Sequence, residues 1–185
     1  MEQSVIRSNS WNEASKYGLI LGLISVAYLY LGHLQINLEQ TGLFSIAIGF
    51  VAWAAKFAGC ILLMKHAMMK FVHCNPESTN TDTFKLGAKI ALLSALVFAV
   101  ITVADQLYIF PEYYQTIYSA ALEEYAKILP AEQVKEIKDM LVQAPKISFF
   151  GTFLYCAAYG TVLSFILSRN IPSRNPFNND KPQEQ

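Results

Sequence analysis

Apolar and polar positions along this chain separate into long blocks. Residues 17–38 and 147–168 contain no Asp, Glu, Lys or Arg, 22 residues each, and either run crosses a hydrocarbon layer of about 30 Å as a helix. Residues 40–55 and 90–104 are two further uncharged runs. They reach spanning length once Lys56, or the flanking Lys85, Lys89 and Asp105, are admitted. The pattern predicts four membrane-spanning helices at about 17–34, 42–64, 84–107 and 147–167. The fold class is therefore an all-α membrane protein with its transmembrane domain over residues 17–168.

The segments between and around the runs are polar. Residues 1–16 form a short leading segment containing Glu2 and Glu13. The run that follows is long for the apolar part of a signal peptide, and no small-x-small cleavage site comes after it, so it is expected to remain in the mature protein. Asn37, Glu39 and Gln40 make a short link without a basic residue. Pro76, among Asn75, Ser78, Thr79 and Asn80, marks a loop between the second and third helices. Residues 169–185, with Pro172, Pro176 and Pro182 among Asn, Asp and Gln, have the composition of a disordered tail.

Residues 112–145 are periodic although they lie outside the spans. Tyr114, Ile117, Tyr118, Ala121, Leu122, Tyr125 and Leu129 recur at helical spacing, and Val134, Ile137, Leu141 and Ala144 repeat at three and four residues. Pro130 is placed to start the second pattern and Pro145 to stop it. This predicts a helical hairpin near the bilayer surface, between the third and fourth spans.

Charge then gives an orientation. Four spans put both termini on one side, together with Arg7, Lys16, Lys65, Lys70, Lys85, Lys89, Arg169, Arg174 and Lys181, nine basic residues. The opposite side has four, Lys127, Lys135, Lys138 and Lys146, against seven acids: Asp105, Glu112, Glu123, Glu124, Glu132, Glu136 and Asp139. Cytoplasmic loops carry the excess of Lys and Arg, so both termini are expected in the cytoplasm and the hairpin in the periplasm.

Composition agrees with this class. The chain has 185 residues, 54% hydrophobic and only 15% charged, and 14 basic residues balance 14 acidic ones. A soluble cytosolic enzyme is disfavoured by that balance, and no basic excess points to nucleic acid. Cys60, Cys74 and Cys156 do not form an even disulfide framework, and two of them fall inside apolar runs.

The order of features resembles a known family. Two spans, Thr83-Phe84-Lys85-Leu86-Gly87 leading into the third, Ile109-Phe110-Pro111 leaving it for an acidic hairpin, Pro145, and a last span ending in basic residues are similar to a family of uncharacterised four-helix bacterial membrane proteins, known only as a domain of unknown function. The resemblance covers roughly residues 11–170. It implies the fold and a bacterial inner membrane, and it carries no functional residue, substrate or cofactor with it.

Candidate chemistry is sparse. Lys56 stands eight residues before Met64, or roughly 12 Å inside the expected end of its helix. An ionisable residue at that depth is a functional-site hypothesis by default. It is read as the centre of a polar site for an anion, a carboxylate or a proton, with Ser94, Thr102 and Asp105 as further members; the alternative is a structural lysine satisfied by Ser94 or Thr102. His66, Met69 and His73 share a helix face and form a weak metal candidate, since their spacing matches no established motif. His33 reads as an interfacial polar residue with no Ser or Cys nucleophile at readable spacing.

Small residues recur every fourth position: Gly18 and Gly22; Gly87, Ala91, Ala95 and Ala99; Gly160 and Ser164. Such stripes let helix backbones approach, within the bundle or between copies. No serine-hydrolase, zinc-protease or phosphate-loop motif occurs. The expectation is a non-enzymatic accessory or interaction module without a cofactor, with the lipid bilayer, another copy or another membrane protein as partner. The alternative is a small oligomeric transporter or channel built around Lys56, and an intramembrane enzyme comes third.

Overall fold

A computed structural model describes residues 2–37, 43–75 and 78–171, with side chains described over residues 10–33, 47–75 and 78–171. Every element among these residues is helical. The chain runs α1 (Glu2–Asn37), α2 (Leu43–Cys74), α3 (Asn80–Ala104), a π-helical turn (Asp105–Ile109), α4 (Pro111–Ala126), α5 (Ala131–Val142) and α6 (Ala144–Asn170). Four stretches are long and apolar enough to cross a membrane: Ser10–His33, Ala47–Cys74, Asn80–Ile109 and Ala144–Asn170. The tail beyond residue 171 and Pro76 in the expected loop lie outside the described residues.

Helix ends differ from the sequence reading for local reasons. α3 begins at Asn80 because Thr79 caps it: its hydroxyl accepts from the Asp82 amide at 3.2 Å, and its own amide donates to the Asp82 carboxylate at 3.1 Å. This reciprocal pair satisfies two donors that a helix start leaves open. α2 continues ten residues past Met64 to Cys74. Met64, Ala67, Met68 and Phe71 are buried at helical spacing there, and that face carries the helix through the basic stretch. α5 ends at Val142, three residues before Pro145. That proline sits in the first turn of α6, where a missing amide hydrogen costs nothing.

α3 is the axis of the bundle. It packs along α6 and along α1, whereas α2 lies mainly against α1 and touches α6 only briefly. The small-residue stripes lie on the two tight seams. A Cβ on Gly18 would come within 2.8 Å of the Leu93 Cβ, and one on Gly22 within 2.8 Å of the Val97 Cβ, so these glycines let α1 approach α3. Gly160 faces Ala91 in the same way, at 2.6 Å. Gly87 lies against Ser164, whose hydroxyl donates across the seam to the Phe84 carbonyl at 3.0 Å. Ala95 and Ala99 are buried on the same helix. Close backbone approach replaces the hydrophobic drive that lipid cannot supply.

The core gathers toward the end at which α1 starts and α6 finishes. Ala14, Leu21, Met64, Met68, Phe71, Leu86, Ile90 and Leu167 form one buried cluster. At the opposite end the hairpin α4–α5 stands apart, and neither of its helices buries a residue.

Candidate functional site

Two polar arrangements interrupt the apolar bundle, one at mid-depth and one at the hairpin end. The first is a cavity of about 370 Å³ to which all four spanning helices contribute. Each helix presents one face to it: Leu21, Ser25 and Tyr28 from α1; Trp53, Lys56, Phe57, Cys60 and Met64 from α2; Ala91, Ser94 and Phe98 from α3; and Tyr155, Cys156, Tyr159, Gly160 and Leu163 from α6. These spacings of one, three, four and seven residues are helical faces, so the cavity is a product of the same periodicity that builds the bundle. It exists because α2 and α6 do not close on each other.

Lys56 is the cation of this cavity. It lies 18 residues before Cys74, roughly 27 Å from the end of α2, with the basic Lys65 and Lys70 between them. Its ammonium rests 4.7 Å from the centre of the Tyr28 ring and 5.3 Å from that of Phe98. Among the described residues no carboxylate pairs with it and no oxygen accepts a hydrogen bond from it. Two aromatic faces stabilise an ammonium by about 0.5–2 kcal/mol each. That is less than the several kcal/mol lost by taking the ion out of water.

The other expected members of this site divide. Ser94 lines the cavity with Lys56. Thr102 turns back onto its own helix, donating to the Phe98 carbonyl at 2.8 Å. Asp105 belongs to the second arrangement. Its carboxylate is fully buried, and its Oδ2 accepts from His33 Nε2 at 2.9 Å and from the Tyr114 hydroxyl at 2.8 Å. Its Oδ1 has no protein partner. The π-helical turn begins at this residue and closes through the Phe110 amide to the Asp105 carbonyl at 2.9 Å. Such turns admit one extra residue and concentrate at functional or strained positions.

His33 is therefore not isolated. Phe110 lies 5.0 Å from its ring and Tyr113 stands edge-on at 4.8 Å. The Asp105 carboxylate ties α1, α3 and α4 at one point. Burial pushes the Tyr114 hydroxyl well above the ordinary tyrosine range, and the hydrogen bond to Asp105 and its charge add to the effect. Tyr114 thus stays a donor at physiological pH. No sequence spacing announces this trio, because His33 and Asp105 are 72 residues apart.

Of the metal candidate, His66 and His73 stand seven residues apart on one continuous helix, roughly 10 Å along its axis. His66 packs its ring against Tyr17 at 6.3 Å, and Met69 is exposed. Among the described residues no group of three or more His, Cys, Asp or Glu side chains is arranged to hold a metal ion. The three cysteines are free thiols, with Cys60 and Cys156 both lining the Lys56 cavity.

Four apolar spanning helices around a largely apolar cavity that holds one ammonium define an integral-membrane helical bundle. The family described as "Protein of unknown function (DUF4199)" matches residues 16–169, and the chain belongs to it. No curated protein and no solved structure matches the chain.

Proposed function

We propose that this protein is a non-enzymatic membrane protein whose working part is the Lys56 cavity, a binding site for a small acidic ligand at membrane depth. The observation that carries this reading is the unpaired ammonium of Lys56 in a cavity of about 370 Å³. A cavity of that size, mostly apolar with a few convergent polar groups, has the ordinary character of a small-molecule site. A lysine kept at this depth without an anion is costly, and a bound acid removes that cost.

The nine-to-four division of basic residues supports a bacterial inner membrane with both termini in the cytoplasm and the hairpin outside. A second reading, an accessory module that docks a partner through the hairpin, is favoured by the exposed Met140 and Val142 on α5 and Ile128 in the turn before it, in a hairpin whose helices bury nothing. Extraction in a mild detergent followed by mass spectrometry separates the two. One equivalent of a bound acid supports the cavity; a stoichiometric protein partner with an empty cavity supports the docking module and counts against the binding site.

A further inference from the structure

We infer that the ligand of the Lys56 cavity is a lipophilic acid drawn from the bilayer, one acidic group on an apolar tail, which reaches the lysine sideways between α2 and α6. This rests on the reading of the cavity as a binding site, and it adds the chemistry of the ligand and its route.

The route follows from what is closed and what is open. Toward the termini, Met64, Met68, Leu86 and Ile90 are fully or almost fully buried and pack together, so the bundle is plugged below the cavity. Toward the hairpin, the His33–Asp105–Tyr114 contact and Phe110 draw α1, α3 and α4 together. The remaining side is the seam between α2 and α6, which touch only briefly. The lining residues Trp53 and Tyr155, one on each of these helices, are 49% and 74% exposed. At this depth the surface they face is hydrocarbon, so a ligand arriving by this side must dissolve in the bilayer.

The headgroup follows from Lys56. An ammonium has three N–H donors, and aromatic faces accept none of them as a carboxylate oxygen would. A single compact cation neutralises a single acidic group; a dianion would leave one charge unpaired in the membrane. Lysine acts as a point charge and takes a carboxylate or a singly charged phosphate diester alike. The tail follows from the walls, where Trp53, Phe57, Tyr159 and Leu163 line the way out.

Trp11→Phe leaves Trp53 as the only tryptophan of the two in the chain, and Trp53 lines the cavity. Purified protein in mild detergent is titrated with 9,10-dibromostearate, whose bromines quench tryptophan on contact, and with the matching dibromostearyl alcohol. The acid is expected to quench saturably at concentrations at least tenfold below the alcohol, and the difference to vanish in Lys56→Met. Palmitate and hexadecyl methyl phosphate, a diester with one charge and one long tail, are the competitors, and the stronger of the two identifies the headgroup. Cys60→Phe fills the cavity while keeping the lysine, and it should abolish the saturable phase, so the test survives if Lys56→Met fails to fold. Equal quenching by acid and alcohol in the wild type overturns the inference. Benzoate and inorganic phosphate then decide the broader reading: a rise in melting temperature that needs Lys56 keeps an anion site with a water-soluble ligand, and no rise removes the site as well.

Discussion

His33 Nε2 lies 2.9 Å from the Oδ2 of Asp105, joining α1 to the end of α3 through a carboxylate that is fully buried. The Tyr114 hydroxyl reaches the same oxygen from α4, so one side chain anchors the hairpin to the bundle. Asp105→Ala leaves two buried donors without an acceptor, at about 1–3 kcal/mol for each group left unsatisfied. Thermal unfolding in detergent should therefore show a clear loss of stability. Tyr114→Phe removes one bond, about 1 kcal/mol, and should speed amide exchange in α4 while leaving α3 protected. Unchanged exchange in α4 would mean that the hairpin is held elsewhere.

The same contact carries a pH signature. Tyr114 holds its proton more tightly in the folded chain than an ordinary tyrosine, whose pKa is near 10. Below that value both folded and unfolded forms are protonated and the contribution is fully present. Above it the unfolded form ionises first, so stability falls as pH rises. Wild-type stability should thus decline more steeply above about pH 10 than that of Tyr114→Phe. Parallel curves for the two proteins would contradict the assignment of the burial to this hydroxyl.

Seam packing makes a separate prediction. Ala95 is 1% exposed in the middle of α3, and Ala95→Leu must push two backbones apart. A cost of roughly 1–3 kcal/mol is expected from overpacking. Ala88, half-buried, next to Gly87 but off the stripe, is the control. Equal melting temperatures for the two leucine variants would show that the stripe is not a tight seam.

The orientation is tested by labelling. Asn80 and Glu132 are both exposed, at opposite ends of the bundle. Single cysteines at these positions, in a background without Cys60, Cys74 and Cys156, should react differently with an impermeant maleimide in intact spheroplasts. Glu132→Cys is expected to label and Asn80→Cys to stay protected; the reverse pattern inverts the topology.

The four spans were legible because uncharged length is a one-dimensional property, and bilayer thickness turns it directly into a helix. Helix ends were less so. α2 passes through Lys65 and Lys70 because its buried face continues through Met64, Ala67, Met68 and Phe71, and a reading that stops at charge ends it too early. Lys56 was conspicuous as a charge in an apolar run, but its surroundings depend on the rotation of four helices about their axes. The faces that line the cavity, such as Trp53, Lys56, Phe57 and Cys60, were periodic enough to be written down, yet nothing in one chain says that α2 and α6 leave a gap. Asp105 was grouped with Lys56 by its place among the few membrane charges, and the π-helical turn and His33 put it in a different site.

Removing the charge of Lys56 separates a ligand anchor from a structural lysine. Lys56→Met keeps length and bulk, loses the contacts with Tyr28 and Phe98, and relieves the ammonium of its desolvation. The variant should insert and be at least as stable as the wild type in ligand-free detergent. A protein that no longer folds would show that Lys56 holds the bundle together.

The central claim is that the Lys56 ammonium is completed by an acid that the chain does not itself provide. A crystal structure of protein grown from a lipid phase, without exchange into harsh detergent, tests this at the atom concerned. Non-protein density is expected within about 3 Å of Lys56 Nζ, at hydrogen-bond distance, between the rings of Tyr28 and Phe98 and continuing toward the α2–α6 seam. A side-chain carboxylate of the chain paired with Lys56, or α2 closed onto α6 with the cavity gone, would contradict it.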